Sequence, residues 1–164
     1  MKDDARMWKD ATVWKDVKKE WAFVPLRLMV GFGFLAHGYA KLDRGPEKFA
    51  LILQALGIPM PHLTAWVTLL IEIIGGLGLM IGLAVVPLTV PLAVILLTAM
   101  FSVHLRYGFS SIRLEAITAQ GAKFGPIGYE LDLLYLAALL SLAIGGGRAA
   151  SLDGYLRRRR SSTS

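Results

Sequence analysis

The sequence predicts an all-α integral membrane protein: an antiparallel four-transmembrane-helix bundle preceded by an N-terminal amphipathic interfacial helix. Three observations predict it. The chain of 164 residues is 55% hydrophobic, with a mean hydropathy of +0.54, more apolar than a core of this size can hide. The apolar residues are gathered into long runs rather than scattered. Four of these runs, at residues 22–42, 63–83, 85–105 and 129–147, reach the roughly 20 residues a helix needs to cross a hydrocarbon core of about 30 Å.

Taken in order, residues 1–21 form a charged segment in which Trp14, Val17 and Trp21 fall on one helical face, with Trp8 nearby. That pattern predicts a cytoplasmic helix lying in the membrane interface. The segment lacks the short apolar core of a cleavable signal peptide, so span one is expected to serve as an uncleaved anchor. After it, "RGPEKFALILQALGIPMPH" holds ten apolar-rich residues ended by Gly57, Pro59 and Pro61. This stretch is too short to cross and predicts a re-entrant or surface helix on the bundle. Gly82–Ala84 leaves room only for a tight turn between spans two and three. Pro87 and Pro91 lie early in span three, where membrane helices tolerate them. Residues 106–128 read as a glycine-punctuated external loop. The expected division is therefore an interfacial segment at 1–21, a membrane domain at 22–156 and a basic cytoplasmic tail at 157–164.

Charge fixes the expected orientation. The net charge of +6 is concentrated at the ends of the chain, which is not the clustered basic face of a nucleic-acid binder. Eleven basic residues flank the termini, among them Lys2, Arg148 and the run Arg157–Arg160, against six in the two opposite loops. The positive-inside rule then places both termini in the cytoplasm of a bacterial inner (plasma) membrane. Cysteine is absent, which excludes disulfides, thiolate metal ligands and CxxC redox chemistry. A redox role therefore needs a bound cofactor, a quinone or a partner subunit.

Helical phase selects the inward residues. At about 100° per residue, Arg27, Gly31, Phe34, His37, Gly38 and Lys41 share one sector of span one. Ala65, Thr68, Glu72, Gly75 and Gly76 share one sector of span two. Small residues together with the few ionisable ones mark the faces that meet in a membrane bundle. Glu72 lies near mid-depth, about 13 Å in at 1.5 Å per residue, and Arg27 is its expected ion-pair partner, its long side chain extending toward the carboxylate. In span four the phase puts Glu130 inward with Leu134, Ala137 and Ser141, and Asp132 among headgroups.

"RLMVGFGFLAHGYAKL", "LGIP", "LIEIIGGLGLMIGL", His104 and "GYELDLLYLAALLSLAIGGGRAASLDGYL" together resemble the DoxX-like family of small membrane proteins over residues 22–156. The matching positions are Arg27, His37, Gly38, Lys41, Glu72, Gly75, Gly76, His104, Glu130, Ser151 and Asp153. The resemblance implies a four-helix membrane bundle. It also implies a link to quinone-dependent sulfur oxidation or to membrane redox complexes of oxidative stress. Where the family often has Gly-Pro-Gly before Ser-Leu-Asp, this chain has "GGGRAASLD".

The candidate site is a quinone or proton-relay cluster of His37, Glu72, His104 and Glu130, in which imidazoles bond a quinone carbonyl and carboxylates relay protons. The competing reading makes these groups interhelical glue, with Gly38, Gly75 and Gly76 as packing contacts. No HxxxH or ExxH pair is present, so a metal site is not expected. A membrane anchor or quinone-interacting subunit of a redox complex is the expected function. A small-molecule transporter or a structural membrane scaffold without activity is the alternative. The expected partners are the lipid bilayer, a redox partner subunit and further copies of the chain.

Overall fold

The computed structural model describes residues 2–145 and 150–161, with the side chains of residues 2–20, 157, 158, 160 and 161 outside the described set. It is mostly helical. Helix α1 runs from Lys2 to Arg44, α2 from Pro46 to Ala55, α3 from Pro61 to Ile81 and α4 from Val85 to Ala99. A π-helical turn at Met100–His104 and a 3₁₀ turn at Leu105–Tyr107 continue α4. A two-stranded hairpin follows, β1 at Leu114–Thr118 and β2 at Gly121–Phe124. Helices α5 (Glu130–Gly145) and α6 (Leu152–Ser161) complete the chain.

Among the described residues, three helical stretches are long and apolar enough to cross a membrane: Trp21–Arg44, Pro61–Ile81 and Val85–Tyr107. Their outward faces carry large apolar side chains such as Met29, Phe32, Ile74 and Val90, all more than half exposed. Arg27, Glu72, Thr89 and Asp132 are buried instead. A water-soluble bundle sorts its residues the other way, so this one is solvated by lipid. Helix α5 spans 16 residues, fewer than the other three. It packs on α1 and α4 through Ala138, Leu139 and Leu142, and Tyr135 stacks edge-on against Phe34 at 5.7 Å. The interfacial helix expected at 1–21 has no separate existence in the backbone, because residues 2–20 continue α1 without a break. Trp8 and Trp14 belong to the side chains outside the described set.

Between lipid-bathed helices apolar burial supplies little driving force, so close packing of small residues must hold them together. Gly31 and Gly76 supply it. A Cβ on either glycine would come within 2.6 Å of the other's carbonyl oxygen, so the α1 and α3 backbones touch there. Farther along the same seam Gly38 lies against Ile73 and Glu72. The turn from α3 to α4 is as tight as its length requires: Gly82 and Ala84 both take left-handed backbone conformations, φ 70° and 50°. The short stretch after span one is a surface helix. This helix, α2, lays Ala50 and Leu53 on Ala65 of α3, and His62 bonds Glu47 at 2.7 Å across the same joint.

The loop between α4 and α5 is more ordered than its glycines suggest. Residues 106–113 and 125–130 close on each other through backbone bonds from Gly125 to Arg113, Gly128 to Ser110 and Tyr129 to Gly108. Beyond this stem stands the β1–β2 hairpin, exposed along its whole length.

Candidate functional site

Antiparallel packing puts Lys41 at the end of α1, His104 at the end of α4 and Asp132 in the first turn of α5, all toward the hairpin end of the bundle. Two acid–base pairs form there. Lys41 Nζ donates to both carboxylate oxygens of Glu72, at 2.6 and 2.5 Å, and rests over the Phe49 ring at 5.2 Å from its centre. His104 Nδ1 lies 2.6 Å from Asp132 Oδ2. Both carboxylates are nearly closed off, at 5% and 6% side-chain exposure, while Lys41 and His104 each keep 22%. Each pair thus presents a base at the edge and an acid behind it.

The expected pair between Arg27 and Glu72 does not form, and helix geometry says why. Side chains on a helix lean toward its N-terminus. On antiparallel helices Lys41 leans inward while Glu72 leans toward the hairpin end, so the two converge. Arg27 leans the other way, toward the far end of the bundle. There it is 1% exposed, with Nη2 donating to the Ala150 carbonyl at 2.8 Å.

Two further expectations are corrected. His37 is exposed on the outer face of α1, whereas Arg27, Val30, Gly31, Phe34 and Gly38 form the buried stripe. One hundred degrees of phase carries His37 past the edge of that narrow seam. On α5 the buried stripe is Asp132, Ala138, Leu139 and Leu142, with Leu134, Ala137 and Ser141 exposed. Asp132 is therefore the inward carboxylate. Glu130 accepts from the backbone N–H of Ser111 at 2.9 Å and ties the loop stem to the helix start.

The π turn carries His104. A π turn inserts one residue into an α-helix and rotates everything after it, and such turns recur at functional sites. An open groove of about 450 Å³ runs along the same helix, lined by Val94, Leu97, Thr98, Phe101 and Ser102 with Ile58. The hydroxyls of Thr98 and Ser102 bond carbonyls one turn back, so the groove wall is apolar in effect. Among the described residues no three His, Asp or Glu side chains converge in a metal-sized group.

The far end of the bundle holds a clasp. Asp153 Oδ2 accepts the Ala84 N–H at 2.8 Å, and the Asp153 N–H donates to the Gly82 carbonyl at 3.2 Å. Ser151 Oγ caps α6 by accepting from the Gly154 N–H at 3.1 Å. The Ser-Leu-Asp segment thus locks the chain's last helix to the α3–α4 turn. Gly82 is hemmed in by Ser151 and the Arg27 guanidinium, which leaves no space for a side chain.

These features, from Trp21 to the end of the third apolar helix, coincide with a family match. The family model named DoxX covers residues 22–105, just over half of the chain. The chain belongs to the DoxX family. Within the DoxX match lie Arg27, Lys41, Glu72 and His104, while Asp132 and the clasp residues Ser151 and Asp153 lie beyond it. A Bacillus subtilis (strain 168) protein named "Putative oxidoreductase CatD" is 29% identical over 131 residues, covering 80% of this DoxX chain and 84% of the relative. No solved structure matches.

Proposed function

We propose that this chain is the membrane subunit of a redox complex and takes a quinone-like hydrogen acceptor as substrate at the hairpin end of the bundle. The observation that carries the reading is the His104–Asp132 pair on a π turn, in a membrane bundle where an ionisable pair is costly and usually functional. The name of the Bacillus relative as an oxidoreductase supports it. A quinone supplies two-electron, two-proton chemistry, with the electrons drawn from a partner oxidoreductase subunit. The doubly protonated ring of His104 donates Nε2–H to the quinone carbonyl, while its Nδ1–H stays on Asp132, which holds the ring so that Nε2 keeps its aim. The apolar groove along Val94, Leu97 and Phe101 suits a hydrocarbon tail. Lys41 and Glu72 form the second polar pair of this end and hold α1 to α3 beside the site.

In the same reading α5 crosses the bilayer as a fourth transmembrane helix, both termini lie in the cytoplasm of the plasma membrane, and residues 22–156 act as one membrane domain. His104→Gln and Asp132→Asn test the site in the purified chain by titration with a short-tailed ubiquinone analogue. Asp132→Asn, which strands no charge, is expected to leave thermal stability in detergent near that of the parent, and His104→Gln to lower it by leaving a buried carboxylate behind. Each should weaken quinone binding about tenfold or more, the loss of one hydrogen bond to a charged group. Variants that melt early yet bind quinone normally would make the pair interhelical glue and the chain a scaffold.

A further inference from the structure

The β1–β2 hairpin has two unlike faces. Its register pairs Leu114 with Phe124 and Ile117 with Ala122, while Ala116 opposes Lys123 across an irregularity that leaves Glu115 extra. Partners directly across an antiparallel ladder share a face, and the next pair takes the other. Leu114, Ile117, Ala122 and Phe124 therefore line one side. Lys123 and Glu115 lie on the opposite side and reach each other at 3.7 Å. The apolar side is open: Leu114, Phe124 and Ile117 are 54%, 57% and 83% exposed, and Ile112 just before β1 is 77% exposed. A two-stranded ribbon standing alone is marginal in water and needs its apolar face packed against something for stability. Left open, this face makes the ribbon less stable still.

The position of the hairpin identifies what covers it. The third apolar stretch ends at Tyr107, and Arg113, the residue before β1, donates through Nη1 to the Tyr107 carbonyl at 3.2 Å. One arginine side chain thus ties the base of the ribbon to the end of a membrane helix. Phe109 and Tyr129 pack edge-on at 5.7 Å in the same stem, the aromatic signature of a bilayer boundary. Arg106 and Arg113 stand at the base of the ribbon as cations that suit headgroup phosphates. The apolar phase that solvates α4 is continuous with the place where this face begins, and a tether this short keeps it at high effective concentration.

We propose that the hairpin lies on the membrane surface, with Leu114, Ile117 and Phe124 inserted at the headgroup–acyl boundary and the Glu115–Lys123 pair facing water. It is a lipid-anchored ribbon tethered at the end of the bundle that carries His104 and Asp132. The natural absence of cysteine allows a direct test with Ile117→Cys and Lys123→Cys, each labelled with an environment-sensitive fluorophore in the full chain. The labelled proteins are reconstituted in phosphatidylcholine–phosphatidylglycerol vesicles with nitroxide-bearing lipid. The Ile117 probe is expected to shift to the blue and lose about half or more of its emission to the nitroxide, as a side chain in the interfacial layer does. The Lys123 probe should keep water-like emission, and dilution of protein in lipid should change neither result. Water-like emission from both probes overturns the proposal, as does quenching of both alike. Protection of Ile117 without nitroxide quenching overturns it too, whether it fades on dilution, as a second copy requires, or needs added soluble protein.

Discussion

Lys41 and Glu72 reach each other across two antiparallel helices because each side chain leans toward the other's position. The carboxylate receives two charge-assisted bonds from one ammonium and, at 5% exposure, has little access to any other partner. Removing one member of such a pair strands the other, which costs about 3–5 kcal/mol, whereas replacing both is far milder. Lys41→Met is therefore expected to lower folded yield and melting temperature in detergent strongly, and Lys41→Met with Glu72→Gln to recover most of the loss. Arg27→Met combined with Glu72→Gln should instead show the two single effects added together, since those residues face opposite ends. Thermal denaturation of the variants and both double mutants measures the coupling directly.

Neighbouring glycines on α3 should respond very differently to the same methyl group. At Gly76 an added Cβ meets backbone, the Gly31 carbonyl oxygen at 2.6 Å and the Leu35 nitrogen at 2.7 Å; at Gly75 it meets only the end of the Leu92 side chain, at 3.1 Å and beyond. Backbone cannot step aside without parting the helices. Gly76→Ala is expected to cost about 1–3 kcal/mol, the usual range for overpacking, and Gly75→Ala clearly less. Melting curves of the two single variants, read side by side, decide the matter.

The clasp at the other end makes a graded forecast. Asp153→Ala leaves the Ala84 N–H without its acceptor, a loss of about 1–3 kcal/mol for a buried donor. Ser151→Ala removes only the α6 cap, about 1 kcal/mol. Both variants should melt at a lower temperature in detergent, Asp153→Ala the more so. Equal melting temperatures in parent and variants would show that the clasp does not hold α6 to the α3–α4 turn.

The proposed orientation is tested by single cysteines on exposed residues at opposite ends, Gln120 in the hairpin turn and Arg159 in α6. In intact cells an impermeant thiol reagent should label Gln120→Cys and spare Arg159→Cys. The reverse pattern places the termini outside.

The long elements were legible because length and hydropathy alone determine them. The apolar runs at 22–42, 63–83 and 85–105 correspond to membrane-length helical stretches that begin and end within two residues of those limits. Side-chain partners were not legible, for reasons specific to each. Phase placed Lys41 in the right sector but did not decide between it and Arg27. The lean of side chains along a helix does decide, and it is a rule available from sequence once topology is assumed. Asp132 was not legible because phase alone does not say which of two carboxylates two residues apart faces inward, and the loop captures Glu130, the helix's first residue. The π turn that aims His104 leaves no pattern in "MFSVH", since it arises from packing. In the hairpin, the apolar–polar alternation of "LEAIT" and "AKF" around Gly121 was a usable signal, masked by glycines that invited a loop.

The bond from Arg27 to Ala150 joins residues 123 positions apart, and this separation gives the molecule an order of assembly. A ribosome adding about 5–20 residues per second makes Ala150 on the order of ten seconds after Arg27. Until then α1 and α3 can pack on their glycine seam, but the arginine lacks this carbonyl and Gly82 lacks the Ser-Leu-Asp segment that covers it. The segment that closes the first helix in place is thus made well after the three long apolar helices it secures. The glycine seam forms early in synthesis, and its lock at the α3–α4 turn forms late.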